Sequence, residues 1–111
     1  MNLKFEDKNG VKIASLDGRL DSNTSGAIYD DMVALAQENE KILINLSNLE
    51  YISSAGLRIL LLVAKLNRRR HKMGAVHICN PNEFVREVLD MSGFHSLIHI
   101  FESEQEALEN L

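Results

Sequence analysis

The sequence predicts an α/β fold: a mixed central sheet, an opening β-hairpin and about four helices, in the order ββαβαβαβα. Three observations predict it. Two short alternating apolar runs flank an Asn9-Gly10 pair, whose ready access to positive φ angles suits a tight hairpin turn. Beyond them, strand-like and helix-like patterns alternate to the end of the chain, the signature of layered, mostly parallel sheets. One run, Ile42-Leu43-Ile44 with Leu46, is apolar almost without interruption, as in a central strand buried on both faces.

Taken in order, Leu3 and Phe5 alternate with polar residues and form the first strand, and Val11 and Ile13 lead the second, which is expected to run to about Leu16 before Asp17-Gly18 breaks it. Asp21-Ser22-Asn23-Thr24 is rich in residues that cap helix N-termini. Ile28, Met32, Leu35 and Ala36 then share one helical face, and this helix ends near Glu38-Asn39. The strand at Ile42–Leu46 follows. A second helix, strongly apolar from Leu57 to Leu66, closes on Arg68, Arg69, Arg70, His71 and Lys72, cations that complement the dipole of a last turn; Gly74 stops it. Ala75–Cys79 reads as a strand. In the third helix Asn80 is the expected cap, Pro81 the first residue and Glu83 the reach-back partner. Its stripe is Phe84, Val85, Val88 and Leu89, with Gly93 as its stop. Leu97–Phe101 is a short strand, and Ser103 with Glu106 caps a last helix carrying Ala107, Leu108 and Leu111.

Composition narrows the function classes. The 111 residues suit one domain, 1–111, and are enough to bury a core without metal or disulfide support. The net charge of −4 attracts neither nucleic acid nor an anionic membrane. One cysteine, Cys79, rules out an internal disulfide and fits a reducing compartment. Met1–Asp7 lacks the apolar core of a signal peptide, and the longest apolar run, Ile59–Ala64, is too short for a bilayer. A cytoplasmic protein is expected.

Enzyme signatures are missing. There is no phosphate-binding loop of the G-x-x-x-x-G-K-[ST] type, no G-x-G-x-x-G and no G-x-S-x-G around the serines. His71, His77, His95 and His99 lack metal-ligand spacing, and His77-x-Cys79 has no second ligand pair, so no metal or cofactor is expected and Cys79 reads as a small buried hydrophobe. The basic run at Arg68–Lys72 and the glutamates of the tail read as solvated helix faces. A phospho-accepting receiver domain has this length and architecture, but it needs carboxylates at its strand tips to hold Mg²⁺, and Asn45-Leu46-Ser47 offers none.

The most informative segment is Tyr51-Ile52-Ser53-Ser54-Ala55-Gly56-Leu57-Arg58, which sets two hydroxyls at a helix start. The unpaired N–H groups and partial positive charge of a first turn suit a phosphate, and a phosphorylatable serine there makes a switch. Serine is equally a common N-cap. Gly56 permits a close approach, and Asp21, at the end of the second strand, is a candidate for the same sheet edge as Ser54.

Three segments together resemble the bacterial anti-sigma-factor antagonists, whose fold is the STAS domain: Gly18-Arg19-Leu20-Asp21, Asn45 through Leu57, and Leu89-Asp90-Met91-Ser92-Gly93-Phe94 with Ile100-Phe101 and the Glu-rich last helix. The likeness runs along essentially the whole chain. It implies a non-enzymatic partner switch. The unmodified protein would bind an anti-sigma factor that is also a serine kinase, release a sigma factor, be turned off by phosphorylation, and be restored by a serine phosphatase. Alignment on Gly56-Leu57 puts the acceptor at Ser54, with Ser53 as the second candidate, and the partner surface at Asp21, Ser53, Ser54, Ala55, Gly56 and Arg58. Ser53 stands where the family often has aspartate, Ala55 where serine is common, and Arg58 where a small residue is usual. The competing expectation is a non-switching STAS subunit of a larger signalling or transport assembly.

Overall fold

The computed structural model describes residues 1–111. Two strands, β1 (Asn2–Lys8) and β2 (Val11–Leu20), form the expected antiparallel hairpin, with Asn9 and Gly10 both at positive φ. Then follow α1 (Ser22–Glu38), β3 (Lys41–Asn45), β4 (Leu49–Ile52), α2 (Ser54–Arg70), β5 (Ala75–Cys79), α3 (Glu83–Met91), a 3-10 turn (Phe94–Ser96), β6 (His99–Phe101) and α4 (Glu104–Glu109). The expected order holds, with one short strand added.

That strand, β4, explains why β2 does not stop at Leu16. The lower half of β2, Lys12–Ser15, pairs in parallel with β3, and its upper half, Gly18–Leu20, pairs in parallel with β4. The register shifts between Gly18 and Arg19, and Gly18 sits at φ +106, a conformation open to glycine at little cost. Asp17-Gly18 therefore marks a bulge inside a long strand rather than its end. The main sheet runs β1-β2-β3-β5-β6, with β3 between two parallel neighbours as its apolar run predicts.

Side-chain alternation sorts the core. Ala14, Leu16, Ile42, Ile44, Val76 and Ile78 face the main core, packed by Met32 and Leu35 of α1, Leu60 and Val63 of α2, and Val85 and Leu89 of α3. The opposite face carries a smaller cluster, Val11, Ile13, Leu43 and Cys79, covered by Ala107 of α4. Cys79 is fully buried there, and burial, with Glu104 adding to it, pushes its thiol pKa up to about 12. It is a core side chain and a poor nucleophile.

Three local expectations are corrected. The cap of α3 is Asn82, whose side chain accepts the Val85 N–H at 2.7 Å; Asn80 instead takes a left-handed turn at φ 59. Asn82 also donates to the Leu49 carbonyl, so pairing to β4 fixes where α3 begins. Phe84 leaves the apolar stripe and stacks on Tyr51 of β4 at 5.7 Å. Leu97 lies outside β6, because the chain first turns through Phe94–Ser96, burying Phe94 and Ile98. Asn67, unremarked in the helical pattern of α2, is fully buried and donates to the carbonyls of Asn39 and Glu40, tying the end of α2 to the entry of β3.

On the face that α4 leaves open, His77 stacks on Phe101 at 5.0 Å and lies opposite His99. Its Nδ1 is buried with no hydrogen-bond partner. Burial first, and the nearby His99 second, lower its pKa to about 4. Between that value and the ordinary 6.5 the unfolded chain takes up the proton and the folded one does not, so stability falls as pH drops through this window and levels out below it. Chemical denaturation at stepped pH is expected to show the wild type losing stability relative to His77→Phe from about pH 6.5 to about pH 4. Parallel pH curves would exclude His77 as the cause.

Candidate functional site

Two helices begin side by side at the ends of two paired strands. Arg19 and Leu20 of β2 register with Tyr51 and Ile52 of β4, and the Ser53 N–H donates to the Leu20 carbonyl at 2.9 Å. The next residue on each strand caps a helix. Asp21 caps α1: its carboxylate accepts from the N–H groups of Asn23 at 3.0 Å and Thr24 at 3.1 Å, and the Thr24 hydroxyl accepts the Asp21 N–H in return at 2.8 Å. The Thr24 backbone N–H chiefly, then the Thr24 hydroxyl, the Asn23 N–H and the Arg19 charge, hold the Asp21 pKa below its ordinary value against the opposing effect of burial. The carboxylate is therefore ionised at neutral pH.

Ser53 caps α2. Its backbone is extended and its hydroxyl accepts the Gly56 N–H at 3.4 Å, a long bond. This divides the two serines. The alternative reading of Ser54 as the helix N-cap is not met: Ser54 is the first residue of the helix, exposed, with its hydroxyl free of any bond within the chain, while half-buried Ser53 does the capping.

Gly56 is buried and acts inward. A Cβ there would lie 2.8 Å from the Leu20 carbonyl oxygen and equally close to the side chains of Leu20 and Ile52. The close approach read from the sequence is thus made by β2, whose carbonyl cannot yield as a flexible side chain would. It seats the first turn of α2 on the strand ends and so places the surface without lining it.

Around this start the surface has two flanks. Between α1 and α2 runs an open groove of about 390 Å³, lined by Ser25, Gly26 and Tyr29 on one side and Ala55, Arg58 and Ile59 on the other. Tyr29 is exposed, and Ser25 is buried with its hydroxyl unpartnered. On the other flank Arg19 lies over the Tyr51 ring, 4.3 Å from its centre, and Tyr51 stacks on Phe84. Of the residues expected at the site, Asp21, Ser53, Ser54, Ala55 and Arg58 gather here with Gly56 beneath them. Not foreseen from the sequence were Ser25, which falls on the buried face of α1 in line with Ile28 and Met32, the exposed Gly26 and Tyr29 beside it, and the Arg19–Tyr51–Phe84 stack, which depends on the unforeseen β4. No group of three or more His, Cys, Asp or Glu side chains is placed to hold a metal ion, and no helix is long and apolar enough to cross a membrane.

A hairpin-led mixed sheet, helices on both faces and a serine-bearing helix start at the strand ends together define a STAS domain. The family model of that name, STAS domain, matches residues 2–107, and the chain belongs to this family. It is similar to BtrV of Bordetella bronchiseptica, 35% identical over 108 residues, 96% of this chain and 91% of that one. It is also similar to the anti-sigma F factor antagonist of Paenibacillus polymyxa, 34% identical over 113 residues, all of this chain and 95% of that one. Among solved structures, an anti-sigma factor antagonist from Mycobacterium paratuberculosis has the same fold, with a TM-score of 0.87 at 23% identity over 98% of this chain and 92% of that one. So does the Bacillus cell fate determinant SpoIIAA in its phosphorylated form, at 0.72 and 20% over 98% of each.

The packing around Gly56 sets clear expectations. Gly56→Ala gains about 1 kcal/mol of helix propensity but must displace a backbone oxygen, a cost of up to about 3 kcal/mol, so a net loss of about 2 kcal/mol is expected in urea unfolding. Ser53→Ala is expected to cost about 0.5–1 kcal/mol as a lost cap, at the low end because the bond is long. Ser54→Ala should stay within about 0.5 kcal/mol of wild type. Equal losses at both serines would contradict this division.

Proposed function

We propose that this protein is an anti-sigma-factor antagonist that binds an anti-sigma factor with serine kinase activity while unphosphorylated, so that a sigma factor is released, and that phosphorylation of Ser54 by this partner ends the binding. A serine phosphatase restores it. The protein is a kinase substrate and carries no catalysis of its own, and it works in the cytoplasm. The single observation that carries the reading is the separation of roles at the helix start: Ser53 caps, and Ser54 stands exposed with a free hydroxyl, at the same strand edge as an ionised Asp21. The relative named as an anti-sigma F factor antagonist and the phosphorylated form of SpoIIAA support it.

The electrostatics favour a switch over a structural change. Phosphoserine adds about −1.5 to −2 charges at neutral pH. At the first position of a helix that charge meets unpaired N–H groups and the positive end of the dipole, so the fold tolerates it. At an interface the same charge has to be desolvated and lies near the Asp21 carboxylate, so it opposes association. The partner surface comprises Asp21, Ser53, Ser54, Ala55 and Arg58, positioned by Gly56.

Affinity capture from native lysate with wild type, Ser54→Ala and Ser54→Asp as baits tests the reading. Wild type and Ser54→Ala are expected to retain an anti-sigma factor with a kinase domain, and Ser54→Asp to lose it by at least tenfold, the equivalent of about 1.4 kcal/mol. Equal retention by all three would instead make the protein a non-switching STAS subunit of a larger signalling or transport assembly.

A further inference from the structure

Arg58 is the guanidinium at this end of the molecule with nothing to do. Arg19 is occupied by the Tyr51 ring, Arg86 pairs with Glu102, and Arg68 donates to the Leu97 carbonyl. Arg69 and Arg70 lie at the far end of α2. Arg58 is exposed, and none of the ion pairs or side-chain hydrogen bonds of the chain involves it. It stands four residues after Ser54 on the same helix, and positions four apart share a face with their Cβ atoms about 5–6 Å apart. A phosphate on Ser54 would reach toward that face, within the span of an arginine side chain.

We infer that Arg58 is a built-in clamp for a phosphate on Ser54, forming a charge-assisted pair with it in the same chain. The inference rests on the reading of Ser54 as the acceptor. Guanidinium presents a planar fork to phosphate oxygens, and such pairs are about twice as strong as neutral hydrogen bonds. The other charged groups facing Ser54 do not compete: Asp21 is an anion engaged in its own cap, and Arg19 is held at the opposite flank. The clamp has a consequence for the surface. Unmodified, Arg58 lines the α1–α2 groove opposite Tyr29 and offers a free cation to a partner carboxylate. Once Ser54 is phosphorylated, the phosphate takes that cation, so one modification both adds an anion and withdraws the site's free cation.

The test uses the full chain with phosphoserine installed at position 54 during translation, as wild type and as Arg58→Gln, followed by ³¹P NMR through a pH titration. The ordinary second pKa of phosphoserine is about 6. The wild-type phosphate is expected to titrate about half a unit below the Arg58→Gln phosphate at low ionic strength, about a threefold difference in proton affinity, with the gap closing near 1 M salt. Both proteins share the helix start, so the difference isolates Arg58. Superimposable titrations at low salt would overturn the clamp. The measurement involves no partner, so that result would leave the switch intact, whereas a phosphorylated chain that still held its partner would refute the switch and leave the clamp standing.

Discussion

The carbonyl of Leu20 is the fixed point of this structure. It accepts the Ser53 N–H at 2.9 Å, which closes the parallel pairing of β2 with β4, and the first turn of α2 comes so near it that only a residue without a Cβ fits at Gly56. Through that contact the end of β2 determines where α2 starts. Because β2 also leads straight into Asp21, the same strand end determines where α1 starts. Two helix N-termini are thereby brought to one edge, and the exposed hydroxyl of Ser54, the Asp21 carboxylate and the α1–α2 groove become a single surface.

This arrangement lets the site carry charge without endangering the fold. The structural duties are met by groups that face inward: Ser53 and Asp21 satisfy the first N–H groups of their helices, and Gly56 makes the tight contact. Ser54 and Arg58 have no such duties. A phosphate on Ser54, as we propose, would act almost wholly on association, where desolvation and like-charge repulsion matter, and little on folding, where a phosphate at a helix start is well placed.

Much of the fold was legible because its patterns are local. The Asn9-Gly10 turn, the continuous apolar run of β3 and the stripe of α1 each read correctly, because turn chemistry and side-chain periodicity decide them. What escaped were features decided by partners distant in sequence. The four residues of β4 gain strand character by pairing with the upper half of β2, past a bulge that looks like a stop in the sequence. Asn82 wins the α3 cap over Asn80 because its side chain also reaches the Leu49 carbonyl on that same strand. Asn67 carries no signal in the helical pattern, and only the meeting of α2 with the Asn39 and Glu40 carbonyls gives it a purpose. At the site, the residues were legible but the division between adjacent serines was not, since either serine satisfies the preference for a cap. The register of β4 against β2 decides it by ending the strand at Ile52 and leaving Ser53 in the extended cap conformation.

We propose that Ser54, freed from capping by Ser53, is where this protein is chemically marked. Phosphosite mapping by tandem mass spectrometry, on the protein isolated from its native host across growth phases and stresses, tests that most directly. A single phosphate is expected on Ser54, with an occupancy that changes with condition, and none on Ser53. Phosphate on Ser53, or a chain that is unmodified in every condition, would contradict it.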